Sequence, residues 1–214
     1  MRGLYAIVDV GTLKRRGIDP LEFARAVLEA RPAVIQVRAK DALPRETLCL
    51  LRALGPLCRQ AHVPLVCNDR PDLAVLAGCD MVHVGQTDAA PAMVRRIAPG
   101  LGFGVSTHDI GQLEAALATS PTYVAYGPIY DTATKVDHDA PVGIDGLQRA
   151  RSVAGSVPLV GIGGITLENA REVAVFADMG AVISGLLGPE GSANDFSEVT
   201  ARARALHQKL GGAA

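Results

Sequence analysis

The sequence predicts a single (β/α)8 TIM barrel, and three observations carry that prediction. Short apolar runs alternate with amphipathic stretches along the 214 residues, the pattern of repeated βα units on a parallel sheet. Eight such runs give units of about 27 residues, which suits a barrel of ~200 residues or more and leaves no room for a second domain. The residues that follow the runs are polar or glycine, whereas those that precede them are glycine, proline or small. A barrel brings strand carboxyl ends to one face, where such enzymes build their sites. A doubly wound open sheet, the alternative, ordinarily has fewer strands.

The runs begin near Leu4, Val34, Pro64, Met81, Leu101, Tyr123, Leu159 and Ala181. The first closes on Asp9, the third on Asn68-Asp69, and the fourth leads to Gln86 and Asp88. Ser106 follows the fifth, Thr132, Thr134 and Lys135 the sixth, Gly163-Gly164 the seventh and Ser184 the eighth. Helical periodicity fills 20–30, 45–61, 72–77, 91–97, 110–118, 144–154, 167–176 and 195–210. Asp19 before Pro20, Asp109 before the fifth helix, and Thr166 before Leu167 read as N-caps. One domain is expected over 1–214, with a flexible tail from about 211.

Composition narrows the function. With 21 Lys+Arg against 22 Asp+Glu the formal charge is −1, so no electrostatic case exists for nucleic acid. No apolar run approaches the ~18 residues of a membrane span, and Met1 leads almost directly into the first strand without a basic n-region. A cytoplasmic protein is expected. Cys49, Cys58, Cys67 and Cys79 form no C-x-x-C pair and lie on apolar segments, so buried free thiols are expected, as suits a reducing compartment.

Gln36, Arg38 and Lys40 alternate with Ile35, Val37 and Ala39, so the period of two puts the three polar groups on one side of the second strand, facing the barrel mouth. Asn68-Asp69 and Asp88 add two carboxylates on neighbouring strand ends, which suits Mg²⁺ better than zinc. Read alone, Asn68-Asp69 is also a common turn, and Asp88 before Pro91 also a helix cap. The glycine pair lets bare backbone approach a phosphate, or serves tight packing. On the loop after the sixth strand, Thr132, Thr134 and Lys135 offer two hydroxyls and an ammonium, donors that suit phosphate oxygens. Among the histidines, His108 fits either an acid-base role or a structural hydrogen bond, and His83 reads as a core residue. No Ser-His-Asp or Cys-His arrangement is placed for covalent catalysis.

The ordered motifs resemble the thiamine phosphate synthases, also called thiamine-phosphate pyrophosphorylases. They run Gln36-Val37-Arg38-Ala39-Lys40, Asn68-Asp69-Arg70, His83 through Asp88, Gly104 through His108, Gly127-Pro128-Ile129-Tyr130 with Thr132, Thr134 and Lys135, Gly161 through Gly164, and Ile183-Ser184. The resemblance implies transfer of an aminopyrimidinylmethyl group from its diphosphate to the ring nitrogen of a thiazole phosphate, giving thiamine phosphate and pyrophosphate. It assigns Asp69 and Asp88 to Mg²⁺, and Arg38, Lys40, Asn68 and Lys135 to the diphosphate. Gln36 and Ser106 would contact the pyrimidine substrate or its leaving group, and Thr132, Thr134, Gly164, Ile183 and Ser184 the thiazole phosphate. Arg38, Lys40, Ser106 and Lys135 carry the catalytic assignment, and a homo-oligomer is compatible with the family. Ala39 stands where the family commonly has Glu, and Phe176 and Met179-Gly180 also depart from its pattern. A thiazole tautomerase of similar fold, and a non-catalytic phosphate-binding barrel, are the competing readings; retention of Asn68, Asp69, Asp88 and Lys135 argues against both.

Overall fold

A computed structural model describes residues 1–132, 140–189 and 195–213. Eight parallel strands close into one barrel in chain order: β1 (Gly3–Asp9), β2 (Val34–Arg38), β3 (Leu65–Asn68), β4 (Met81–Val84), β5 (Gly102–Thr107), β6 (Tyr123–Tyr126), β7 (Leu159–Ile162) and β8 (Met179–Val182). Closure comes from β8 pairing with β1, Gly3 opposite Met179 and Ala6 opposite Val182. The (β/α)8 prediction is met.

The helices are α1 (Val10–Arg15), α2 (Pro20–Leu28), α3 (Pro44–Ala61), α4 (Pro71–Ala77), α5 (Pro91–Ile97), α6 (Ile110–Leu117), α7 (Gly143–Ala154), α8 (Ala170–Phe176) and α9 (Phe196–Lys209). Asp19 and Asp109 cap as expected, accepting from Glu22 N and Gln112 N. A short α1 is additional to the eight expected helices; the Asp9 carboxylate starts it by accepting from Thr12 N. Thr166 opens the turn leading into α8 as an N-cap should: its Oγ1 accepts from Glu168 N at 3.2 Å and its carbonyl from Ala170 N at 3.0 Å, while Asn169 Oδ1 takes the Thr166 N–H at 2.8 Å and the regular helix runs from Ala170.

Period-two alternation splits the apolar residues between two cores. Tyr5, Ile7, Val34, Val66, Met81, Tyr123, Ala125, Val160, Met179 and Ala181 fill the barrel, while Leu4, Val8, Ile35 and their counterparts pack outward against the helices. Each fully buried aliphatic side chain contributes ~1.5–3 kcal/mol. Of the positions that depart from the family pattern, Ala39 and Phe176 pack against the outer core, and Met179, fully buried, helps fill the barrel. Gly104 has a specific reason. A Cβ there would lie 2.0 Å from the Tyr123 ring, so glycine alone lets that tyrosine lie across the barrel. Cys58, Cys67 and Cys79 are buried free thiols, their pKa values pushed by burial to about 12; Cys49, against expectation, is exposed on α3.

Candidate active site

A cavity of about 300 Å³ opens at the strand carboxyl ends. Gln36, Arg38, Lys40, Asn68, Asp69, Asp88, Ser106 and Ile183 all line it, so eight of the residues singled out in the sequence converge on one space. Strand polarity brings this about. Each polar residue ends or follows its strand on the inward side, and closure turns eight separate ends into one ring.

Uncharged hydrogen bonds make the floor. Gln36 Nε2 donates to Asn68 Oδ1 at 3.0 Å, and Tyr5 Oη donates to Gln36 Oε1 at 2.6 Å. The Tyr5 and Tyr123 hydroxyls meet at 2.7 Å, Tyr123 Oη lies 3.0 Å from His83 Nδ1, and His83 Nε2 lies 2.8 Å from Ser106 Oγ. Burial raises the pKa of both phenols, so they act as neutral hydroxyls. His83, buried with both ring nitrogens partnered as expected of a satisfied core residue, is also a link in the cavity floor. Tyr5 and Tyr123 were missed as site residues. Their signal was polarity at inward positions of otherwise apolar strands, legible only once closure set β1 and β6 facing each other.

Charge gathers at the rim. Arg38 Nη1 donates to Oδ2 of the buried Asp9. Burial alone would raise the Asp9 carboxyl, but hydrogen bonds from Thr12 and the Arg38 guanidinium hold it below the usual range. Lys40 Nζ lies 3.3 Å from Asp69 Oδ2. Asp69 carries a positive φ of 62°, in the left-handed region where local strain often marks ligand sites. Its carboxyl pKa is raised to about 6, first by burial and then by the hydrogen bond and charge of Asp88, against the opposing Lys40. A carboxyl raised in this way by a neighbouring carboxylate would be relieved by a cation. Asp88 does not cap α5; its Oδ2 accepts from Gly85 N at 2.8 Å, which turns it back toward the cavity. Among the described residues no group of three or more His, Cys, Asp or Glu is disposed to hold a metal. A metal here would use two carboxylates plus water and ligand oxygens, the habit of Mg²⁺. His108 also lines the cavity, its Nδ1 lying 2.7 Å from Gly127 O.

Other expected residues stand apart. Thr132, Gly164 and Ser184 are not among the lining residues; Ser184 is exposed and opens a 3-10 turn after β8. Thr134 and Lys135 lie outside the described residues. Both glycines are tightly packed against the loop after β6. The chain leaves β6 and crosses the end of β7, where Ile129 N donates to Ile162 O at 2.8 Å and Tyr130 N to Gly163 O at 3.2 Å. A Cβ on Gly163 would press on Pro128, and one on Gly164 would lie 2.6 Å from Asp131 O, both at positive φ.

The family model described as thiamine monophosphate synthase matches residues 4–186. The chain belongs to the thiamine monophosphate synthase family. A thiamine-phosphate synthase of Chloroflexus aurantiacus is 38% identical over 208 residues, covering 95% of this chain and 90% of that protein. One from Koribacter versatilis is 40% identical over 208 residues, covering 92% and 94%. Among solved structures, a thiamine phosphate pyrophosphorylase from Pyrococcus furiosus superimposes with a TM-score of 0.84 at 29% identity, covering 98% of this chain and 97% of its own. Membership in the thiamine monophosphate synthase family accounts for the strand-end motifs. A 4-hydroxy-2-oxoglutarate aldolase at 21% identity and TM-score 0.69 shares the fold alone. No helix among the described residues is long and apolar enough to cross a membrane.

Proposed function

We propose that the chain condenses hydroxymethylpyrimidine diphosphate with hydroxyethylthiazole phosphate, releasing pyrophosphate and forming thiamine phosphate. The observation that carries this reading is the meeting of two cations, Arg38 and Lys40, with two carboxylates, Asp69 and Asp88, around one cavity in a chain of this family. The methylene C–O bond to the diphosphate breaks first and keeps its electron pair on the departing oxygen. The aminopyrimidine ring carries the resulting positive charge, and the thiazole nitrogen lone pair then forms the new C–N bond. Nothing is oxidised or reduced, so the site needs no strong nucleophile or redox group.

In this reading Arg38, Lys40, Asn68 and Lys135 hold the diphosphate and stabilise the charge that grows as it leaves. Asp9 keeps Arg38 aimed at the mouth while leaving its other guanidinium nitrogens for phosphate oxygens. Asp69 and Asp88 would hold Mg²⁺, which when bound neutralises diphosphate charge. Gln36 and Ser106 form the floor against which the pyrimidine lies. Thr132, Thr134, Gly164, Ile183 and Ser184 are assigned to the thiazole phosphate. That part would require the 128–141 loop and the turn after β8 to present their groups to the ligand.

Purified protein given both substrates and Mg²⁺ should yield thiamine phosphate and one pyrophosphate per turnover. Absence of product, or equal yield with excess chelator, would overturn the reading. Conversion of a thiazole tautomer without any requirement for the pyrimidine would favour a tautomerase instead.

A further inference from the structure

We propose that Tyr123, with Tyr5 behind it, is a positioning residue that places the His83 proton on Nδ1 and so makes Ser106 a pure acceptor toward the cavity. Tyr5 Oη to Gln36 Oε1 is 2.6 Å, normal for O–H···O and shorter than N–H···O bonds usually run. Tyr5 therefore donates to the amide oxygen, and the amide nitrogen is left to donate to Asn68 Oδ1 at 3.0 Å.

A phenol has one proton. Having given it to Gln36, Tyr5 accepts from Tyr123 across 2.7 Å. Tyr123 has then spent its own proton and accepts from His83 Nδ1–H across 3.0 Å. A neutral imidazole protonated on Nδ1 has its lone pair on Nε2, and the Ser106 hydroxyl donates to it across 2.8 Å. All the bonds run one way, from Ser106 to Asn68. Tyr5 and Tyr123 are both fully buried, and neither has an unpartnered hydroxyl. Gly104 supplies the space that lets the Tyr123 ring reach across, and the His83 ring stacks on it with centroids 5.6 Å apart.

The two ends of the relay thus face the cavity with opposite polarity. Ser106 Oγ keeps only lone pairs and takes an N–H from a ligand; Asn68, its Oδ1 occupied by Gln36, keeps its Nδ2 protons and gives them to an anion. Resting on the proposed function, this orients the substrate. The exocyclic amine of an aminopyrimidine meets Ser106 while its diphosphate meets Asn68, and an oxo group in place of the amine sets oxygen against oxygen. Buried polar mismatches of this kind discriminate far more strongly than a change of size.

Nitrogen-detected NMR of the histidine rings in ligand-free protein near neutral pH tests the relay directly, the His83 signals being assigned by their loss in His83→Gln. The expected result is the Nδ1–H tautomer in the parent and a mixed or Nε2–H tautomer in Tyr123→Phe. An Nε2–H ring or a doubly protonated ring in the parent would overturn it, as would an unchanged tautomer in Tyr123→Phe. Should Tyr123→Phe not fold, Tyr5→Phe interrupts the same chain one link further on, and a tautomer unchanged there overturns the relay too. Kinetics test the consequence: KM for the oxo analogue of the pyrimidine diphosphate should exceed that for the amine at least tenfold in the parent, with the gap narrowing in Tyr123→Phe. Equal KM values would sink the Ser106 assignment. No turnover of either compound, with the Nδ1–H tautomer observed, would remove the proposed function and leave the relay standing.

Discussion

The floor and the rim of the cavity are built on opposite principles. On the floor, Gln36, Tyr5, Tyr123, His83 and Ser106 are uncharged groups that satisfy one another within the barrel. At the rim, Arg38, Lys40, Asp69 and Asp88 are ionisable groups, and Asp88 raises the Asp69 carboxyl rather than satisfying it. A buried, paired network resists change, because losing one partner leaves another unsatisfied. A partly solvated charge cluster costs little to alter in the fold and much in binding. Shape and polarity are therefore held below, and affinity for anions and cations is set above.

Mutations should separate the two. The largest effect is expected at the rim, on activity alone. Asp88→Asn keeps an acceptor for Gly85 N and removes the charge, so kcat/KM should fall by about two to three orders of magnitude, equivalent to ~3–4 kcal/mol of transition-state stabilisation. Its urea midpoint should stay near the parent's; a large fall in the midpoint would place Asp88 among the structural groups. Next is the floor, on stability: Gly104→Ala forces a methyl into the Tyr123 ring and should cost about 3 kcal/mol, read as a lower midpoint at unchanged m-value. A stable Gly104→Ala variant would mean the ring has room to move and the floor is softer than its packing implies.

A smaller effect links the regions. Asp9→Asn releases Arg38 from its ion pair, and KM for the diphosphate substrate should rise about tenfold with kcat little changed, as expected from the ~1.4 kcal/mol of one lost positioning contact. The smallest is a pH effect. Because the Asp69 carboxyl is raised to about 6, its ionised form is the disfavoured one; its contribution to stability is full below the ordinary carboxylate pKa and is lost as pH rises through about 6. Metal-free parent protein should lose no more than ~1 kcal/mol across that window after solvent screening, and Asp69→Asn should lose none of it. Saturating Mg²⁺ should abolish the difference, and unfolding curves of both proteins with and without the metal would check this.

Much of this was legible in local pattern. Alternation at Gln36, Arg38 and Lys40 announced an inward polar stripe, and the strand-end carboxylates announced the rim, because period two and chain order need no tertiary information. Asp9 was read as a strand end, but not as the cap of α1 and the partner of Arg38, since both roles depend on how β1 registers with β2, Asp9 opposite Arg38. Gly163 and Gly164 were open to two uses, and the packing against Pro128 and Asp131 appears only when the β6 loop is laid across β7.

The sequence by itself determined the barrel and its polarity, because both follow from residue order and from periods of two and 3.6 along the chain, and its ordered strand-end motifs carried the family resemblance. Only the tertiary structure decided the floor. Tyr5 and Tyr123 are 118 positions apart, and nothing local says that their hydroxyls meet; closing eight strands brings β1 and β6 across one lumen, and the missing side chain at Gly104 lets them touch. Contacts across a closed barrel depend on strand number, register and volume together, and no single segment of sequence contains all three.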